Sequence, residues 1–232
     1  MGACKAVVLL SGGLDSATTI AVAVHERYEI LAMTFSYGQR HGVELSRAKE
    51  LARDFGAVEH AVVDIPPDLF AGSALTGAEP EAVPKNRRPE DGDDIPVTYV
   101  PARNILFLSY ALAFAESRGA GAVYIGANAV DYSGYPDCRG EFLDAFERMA
   151  ALGMKCGVEG RPVKILAPLL NLRKSEIIRL GIGLGVDYSK THSCYDPDPV
   201  GLACGECDSC RIRIKGFAEA GVPDPTRYRT VS

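Results

Sequence analysis

The residues best suited to chemistry sit in the stretch Val7-Val8-Leu9-Leu10-Ser11-Gly12-Gly13-Leu14-Asp15-Ser16. Its β-branched apolar run reads as a buried strand and Ser-Gly-Gly as a tight turn. Ala17-Thr18-Thr19-Ile20-Ala21-Val22 then reads as a helix that continues without a breaker. Glycines let the backbone approach a ligand closely. The first N–H groups of a helix have no internal partner, so they can donate to an anion at the positive end of the helix dipole. The Ser11 and Ser16 hydroxyls add donors. The Asp15 carboxylate would repel a bare phosphate, which leaves two readings: a magnesium ion between the two, or an N-capping role that turns it elsewhere. An ordinary strand-to-helix turn fits the same residues.

Four of the seven cysteines make a second cluster. Cys194, Cys204, Cys207 and Cys210 are separated by nine, two and two residues. Two Cys-x2-Cys steps bring thiolates within reach of one ion, and the preceding loop supplies the fourth, which suits tetrahedral zinc with every position filled. Such a closed site is structural. Arg211, Arg213 and Lys215, directly after the cluster, are placed to offset the excess thiolate charge. An iron–sulfur cluster and free redox or sulfur-carrying thiols are the competing readings. Cys4 and Cys156 read as small packing residues.

The elements that must position these groups alternate. Strands are expected over 5–10, 28–35, 59–65, 121–126 and 164–166, and helices over 15–25, 43–55, 105–116, 141–152 and 174–184. Such alternation argues for an α/β fold, an open doubly wound parallel sheet whose ligands lie beyond the carboxyl ends of the strands. Polar groups concentrate at that rim. Ser36-Tyr37-Gly38-Gln39-Arg40-His41 follows the second strand, and Tyr99-Val100-Pro101-Ala102-Arg103-Asn104 opens a helix. Arg103 suits bidentate binding of a phosphate or carboxylate, or solvation in a first helical turn. Asp131-Tyr132-Ser133-Gly134-Tyr135-Pro136-Asp137-Cys138 offers rings and carboxylates fit for a flat heterocycle. Lys164 and Lys174 are candidates to balance phosphate charge, or ordinary surface lysines. Gly181-Ile182-Gly183-Leu184-Gly185 has the look of a dinucleotide fingerprint but closes a helix, so it reads as a helix C-terminus.

Seven of the 14 prolines fall between Asp64 and Pro101, among many charges, and this segment reads equally as a mobile cover over the site or as disorder. No apolar run approaches the ~20 residues of a membrane span, and Met1-Gly2-Ala3-Cys4-Lys5 shows no signal-peptide pattern, so a cytoplasmic location without membrane attachment is expected. The formal charge of -5 speaks against gripping a nucleic-acid backbone.

Ser11-Gly12-Gly13-Leu14-Asp15-Ser16 matches the Ser-Gly-Gly-x-Asp-Ser pyrophosphate-loop signature of ATP-dependent adenylating enzymes. With the rim blocks above, Ser193-Cys194-Tyr195 and Cys204-Gly205-Glu206-Cys207-Asp208-Ser209-Cys210, the chain resembles the 7-cyano-7-deazaguanine synthases of the queuosine-precursor pathway. The resemblance runs from about Lys5 to Phe217, with Pro66–Pro96 unmapped. It implies an adenine nucleotide alpha hydrolase-like domain over 1–187 and a small C-terminal zinc module over 188–232. It also implies a ligase that turns 7-carboxy-7-deazaguanine, ammonia and ATP into the nitrile, with magnesium and a structural zinc ion, as a homodimer.

On this resemblance the nucleotide lies along Leu10, Ser11, Gly12, Gly13, Leu14, Asp15, Ser16, Ala17, Thr18, Thr19 and Ile20. Asp15, Ser16, Arg103 and Lys174 serve catalysis, and Tyr37, Gln39, Arg40, Asp131, Tyr132, Tyr135 and Asp137 bind the deazaguanine. Two rival functions remain open: a tRNA-modifying adenylating sulfurtransferase, and a nucleotide-binding protein without turnover.

Overall fold

Five apolar strands form one all-parallel sheet in the order β3-β2-β1-β4-β5. A computed structural model of the chain describes residues 4–38, 43–70, 73–76, 83–86, 95–130 and 135–229. Along the chain these hold β1 (Lys5–Leu9), α1 (Leu14–His25), β2 (Glu29–Ser36), α2 (Val43–Asp54), β3 (Glu59–Asp64) and α3 (Arg103–Arg118). There follow β4 (Ala122–Tyr124), α4 (Gly140–Gly153), α5 (Lys155–Val158), β5 (Lys164–Leu166), α6 (Lys174–Gly183) and α7 (Asp208–Ala220).

The period of two along each strand divides the core into two layers. Val7 and Leu9 of β1, with Leu31, Met33 and Phe35 of β2, pack against α3 and α4. Ala6, Val8 and Leu10, with Ile30 and Ala32, pack against α1, α2, α6 and α7. Helices on both faces are what a parallel sheet with crossovers requires. The chain runs outward from β1 to β3, then returns past β1 to β4 and β5. The turns after β1 and β4 therefore diverge, and a crevice opens between them.

One helix and one lysine depart from the sequence reading. The helix α7 went unforeseen because its cysteines read as ligands, yet Phe217 on α7 joins Ile177 and Ile178 of α6 in one apolar layer. Lys164 stands at the amino end of β5 and binds Glu147 at 3.0 Å. In a parallel sheet that is the end away from the crevice, so this lysine does not balance phosphate charge there.

The Gly181–Gly185 stretch ends α6, as expected. Its first glycine has a packing reason. A Cβ on Gly181 would lie 1.9 Å from the Tyr188 hydroxyl, which shares a hydrogen bond with Thr18 at 2.8 Å and donates to the Ile177 carbonyl at 3.1 Å. Gly181→Ala is expected to displace this buried ring and lower unfolding stability by about 1–3 kcal/mol. Denaturant unfolding checks this, and a wild-type midpoint would refute it.

Candidate active site

The loop after β1 is built before any ligand arrives. Gly12 holds φ +85, a left-handed conformation that glycine adopts without strain. A Cβ there would fall 2.5 Å from the Glu44 carbonyl oxygen and 2.9 Å from the Ala48 nitrogen, so the first turn of α2 rests directly on the loop. The Ser16 hydroxyl donates to the Gly13 carbonyl at 3.1 Å and accepts from the Ser11 N–H at 3.2 Å. The His192 N–H donates to the Gly12 carbonyl at 2.9 Å, which ties the approach to the cysteines onto the same loop. Across the crevice, a Cβ on Gly126 would lie 3.3 Å from the Ser16 nitrogen, so the end of β4 closes against the start of α1.

Lys174, 7% exposed, places its ammonium 2.6 and 2.8 Å from the two oxygens of Asp15. The loop carboxylate is thus matched by a cation from the first residue of α6.

Beside the loop lies a cavity of about 260 Å³. Ligand sites commonly hold roughly 300–1,000 Å³, so this one suits a single small heterocycle with its reacting group. Phe35 and Phe107 stack at 3.9 Å with planes 2° apart, and both line it. Tyr37 tilts against Phe107 at 5.5 Å, and Tyr135 hydrogen-bonds Thr98 at 2.7 Å. Leu75 and Tyr195 enter the same wall.

Arg103 enters the cavity from the first residue of α3, just after Ala102, whose φ of +55 is costly for a residue with a side chain. The turn is held by the Ala102 N–H donating to the Tyr99 hydroxyl at 3.2 Å. Burial works against the Arg103 charge, but Tyr37, Cys138, Asp137 and Tyr195 outweigh it and hold the guanidinium protonated. Burial likewise raises the Tyr37 hydroxyl, against the pull of Arg103. It pushes the Glu44 carboxyl to about 7, again against Arg103, and the Cys138 thiol to about 11.

The four cysteines converge. Their sulfurs all lie within 4.8 Å of one another, and all four residues are buried. Cys204 Sγ and Cys210 Sγ are 3.9 Å apart, close to the ~3.8 Å edge of a tetrahedron built on a Zn–S bond of about 2.3 Å. Backbone N–H groups of Asp196 and Cys204 donate to Cys194 Sγ, and those of Glu206 and Cys207 to Cys204 Sγ. These donors favour thiolates, so the set fits a structural zinc ion, which Cys194, Cys204, Cys207 and Cys210 would hold.

A profile of the family described as queuosine biosynthesis protein QueC matches residues 5–221. The chain belongs to this family. The 7-cyano-7-deazaguanine synthase of Desulfatibacillum aliphaticivorans is 61% identical over 226 residues, 97% of this chain and 96% of that protein. The synthase of Methylococcus capsulatus is 59% identical over 225 residues, 97% and 99% of the two. A 4-thiouridine synthetase solved with RNA and ATP superposes with a TM-score of 0.50 at 18% identity, covering 97% of this chain and 47% of that one. That likeness shows a shared fold, the adenine nucleotide alpha hydrolase-like sheet. The QueC match spans both the loop and the cysteine cluster.

The expected nucleotide- and substrate-binding residues, with Arg103, fall into four groups. Leu10, Ser11, Gly13, Leu14, Asp15, Ser16, Tyr37, Arg103 and Tyr135 line the cavity. Gly12 lies behind it, and Ala17, Thr18, Thr19 and Ile20 are buried inward along α1. Asp137 turns its carboxylate to the Asn104 N–H at 3.1 Å, which holds the start of α3. Gln39, Arg40, Asp131 and Tyr132 lie outside the described residues.

The charge offset expected of Arg213 and Lys215 is corrected. Arg213 is buried against Asp224, Thr191 and the Tyr188 carbonyl. Lys215 is exposed and pairs with Glu219. A helix turns successive residues to different faces, so following the cluster in sequence does not bring a side chain back to it. Lys85 comes instead from the proline-rich segment, pairing with Asp196 at 3.0 Å and drawn upward by Cys204 as well. Arg229 reaches Glu206 at 3.6 Å.

Sequence reasoning missed Glu44, Phe35, Phe107 and His192. For Glu44 one signal was available: it follows the rim of β2 by a few residues, at the carboxyl end where ligands gather.

Two outcomes follow from this geometry. Cys207→Ser is expected to lose bound zinc, measured by elemental analysis, and to unfold at lower temperature; full metal content with lost turnover would refute a structural cluster. Glu44 titrates near 7 in the fold against an ordinary 4.5. The native state therefore binds more protons than the unfolded chain between those values, and this contribution to stability declines as pH rises through the window. Glu44→Gln removes the buried charge and is expected to exceed the wild type in stability above pH ~7, with the gap shrinking toward pH ~4.5. A gap independent of pH would refute the assignment.

Proposed function

We propose that the chain converts 7-carboxy-7-deazaguanine, ammonia and ATP into 7-cyano-7-deazaguanine, the product for which its relatives are named. The observation that carries this is one crevice in which a prebuilt anion loop, Ser11–Ser16, adjoins an aromatic cavity entered by Arg103. A carboxylate is a poor electrophile with a poor leaving group. Transfer of AMP to its oxygen corrects both.

The carboxylate oxygen attacks the α-phosphorus of ATP, and pyrophosphate leaves with the electron pair of the bridging bond. Ammonia then adds to the acyl carbon and AMP departs, giving an amide. A second ATP activates the amide oxygen in the same way. Loss of the remaining N–H protons with departure of AMP leaves the nitrile.

The chain's own part is orientation and charge. Unpaired N–H groups at the start of α1 receive the β- and γ-phosphates, with the Ser11 and Ser16 hydroxyls beside them. Lys174 stands one residue contact away on Asp15, ready to turn its ammonium to a phosphate. Asp15 so released would hold a magnesium ion, which supplies charge neutralisation at the leaving pyrophosphate. Arg103 faces the carboxylate being activated. Tyr37 and Tyr135 border the deazaguanine, and Gln39, Arg40, Asp131 and Tyr132 belong to its binding in this reading, while Asp137 acts only by holding the start of α3 through Asn104.

A sulfur-transfer alternative needs a reactive thiolate at the cavity. Cys138 is held protonated by burial, and Cys194 belongs to the four-sulfur cluster. Among the described residues no helix is long and apolar enough to cross a membrane. We assign the enzyme to the cytoplasm as a homodimer, with an α/β domain over 1–187 and a zinc module over 188–232.

Incubation with 7-carboxy-7-deazaguanine, ATP, magnesium and ammonium is expected to yield amide and then nitrile by mass spectrometry; absence of both would overturn the proposal. Lys174→Met keeps the side-chain length and is expected to lower kcat roughly 10²–10³-fold, with some loss of unfolding stability because Asp15 is left without its cation. A variant turning over at the wild-type rate would exclude Lys174 from phosphate stabilisation.

A further inference from the structure

The cavity holds one acidic side chain that the adenylation scheme leaves unused. Of the described residues lining it, the carboxylates are Asp15 and Glu44, and Asp15 is engaged at both oxygens by Lys174. Glu44 sits in the first turn of α2, and that turn is fixed against the anion loop, since a Cβ on Gly12 would meet its carbonyl at 2.5 Å. Its position relative to the departing phosphates is therefore set by the backbone.

The nitrogen donor poses a problem that this placement answers. Ammonium predominates at neutral pH, and its nitrogen has no lone pair to attack with. A site for it needs an anion to bind the cation, an acceptor for one proton and aromatic faces to favour a small cation out of water. We propose that Glu44 binds ammonium in this cavity and takes one proton from it, so that ammonia forms next to the acyl adenylate.

The inference rests on the adenylation reading above. One N–H bond of ammonium breaks and its electron pair stays on nitrogen, while the proton passes to the Glu44 carboxylate. The lone pair forms the C–N bond, the acyl C–O bond breaks, and AMP leaves with that pair. The added nitrogen then loses a proton to solvent, as does Glu44. Phe35, Tyr37 and Phe107 supply the ring faces. Arg103 and Tyr37 face Glu44, and burial keeps its carboxyl poised near neutrality, where proton transfer in both directions is easiest.

The test uses Glu44→Gln and Glu44→Asp in the full chain with two nitrogen donors. Hydroxylamine is uncharged at neutral pH and needs no base. Glu44→Gln is expected to keep substrate-dependent exchange of pyrophosphate into ATP and to lose amide formation from ammonium roughly 10²-fold. It should recover with rising pH, as free ammonia increases, and form hydroxamate from hydroxylamine at the wild-type rate. Glu44→Asp should restore part of the ammonium reaction.

Wild-type amide formation in Glu44→Gln overturns the proposal. So does an equal loss with hydroxylamine, or a loss of pyrophosphate exchange, because each would mean that Glu44 acts on the fold or on adenylation. If the wild type itself shows no exchange with 7-carboxy-7-deazaguanine, the reading of the reaction fails first and this inference with it.

Discussion

The contact between Lys174 and Asp15 governs how this site is assembled. An ammonium almost wholly out of water, with both carboxylate oxygens within 2.8 Å, is a costly arrangement. Such pairs contribute little net stability relative to apolar residues, because desolvation consumes most of the Coulomb attraction. Removing either partner would strand the other. The pair thus obliges α6 to start beside the loop after β1, and it keeps a cation and an anion available at one spot. On the proposed reading, a polyphosphate arriving there would meet charges already taken from water, and little solvent would have to be rearranged.

Much of this was legible in the amino-acid order, for reasons particular residues make clear. The near-continuous apolar runs of Lys5–Leu9 and Glu29–Ser36 mark strands because both faces meet a layer of helices. Gly12 and Ser16 announce a turn because few other residues satisfy its backbone. Cys204, Cys207 and Cys210 declare themselves by local spacing. What stayed hidden depends on distant contacts. Nothing near Arg213 in sequence says that it binds Asp224 and the Tyr188 carbonyl, and nothing near Lys85 says that it reaches Asp196. Glu44 reads as one more helix-surface acid until the loop and Arg103 are set around it.

The cysteine cluster and the cavity share a wall. Cys194, Tyr195, Pro197 and Ser209 border the cavity, while His192 holds the Gly12 carbonyl. Of the proline-rich segment, Leu75 borders the cavity too, and Val83 packs on the cysteines. Lys85 forms a β-bridge with Cys207, and the Asn86 N–H donates to the Glu206 carbonyl at 3.0 Å. The packing around the four sulfurs therefore carries the position of several side chains that line the cavity. An ion held by these four cysteines would have no open coordination site, yet it would fix the wall of the cavity.

That same enclosure of the cysteines has a temporal side. The segments that meet there, 83–86, 194–210 and 227–229, are far apart along the chain, and bringing such segments together is slow because loop closure precedes any reward from contact. The β1–α1–β2 unit relies on neighbours and can form early. The wall of the cavity is then among the last parts to appear, and a molecule becomes competent only when its most distant segments have met. Until that moment the thiols stand open to oxidants and to the wrong metals.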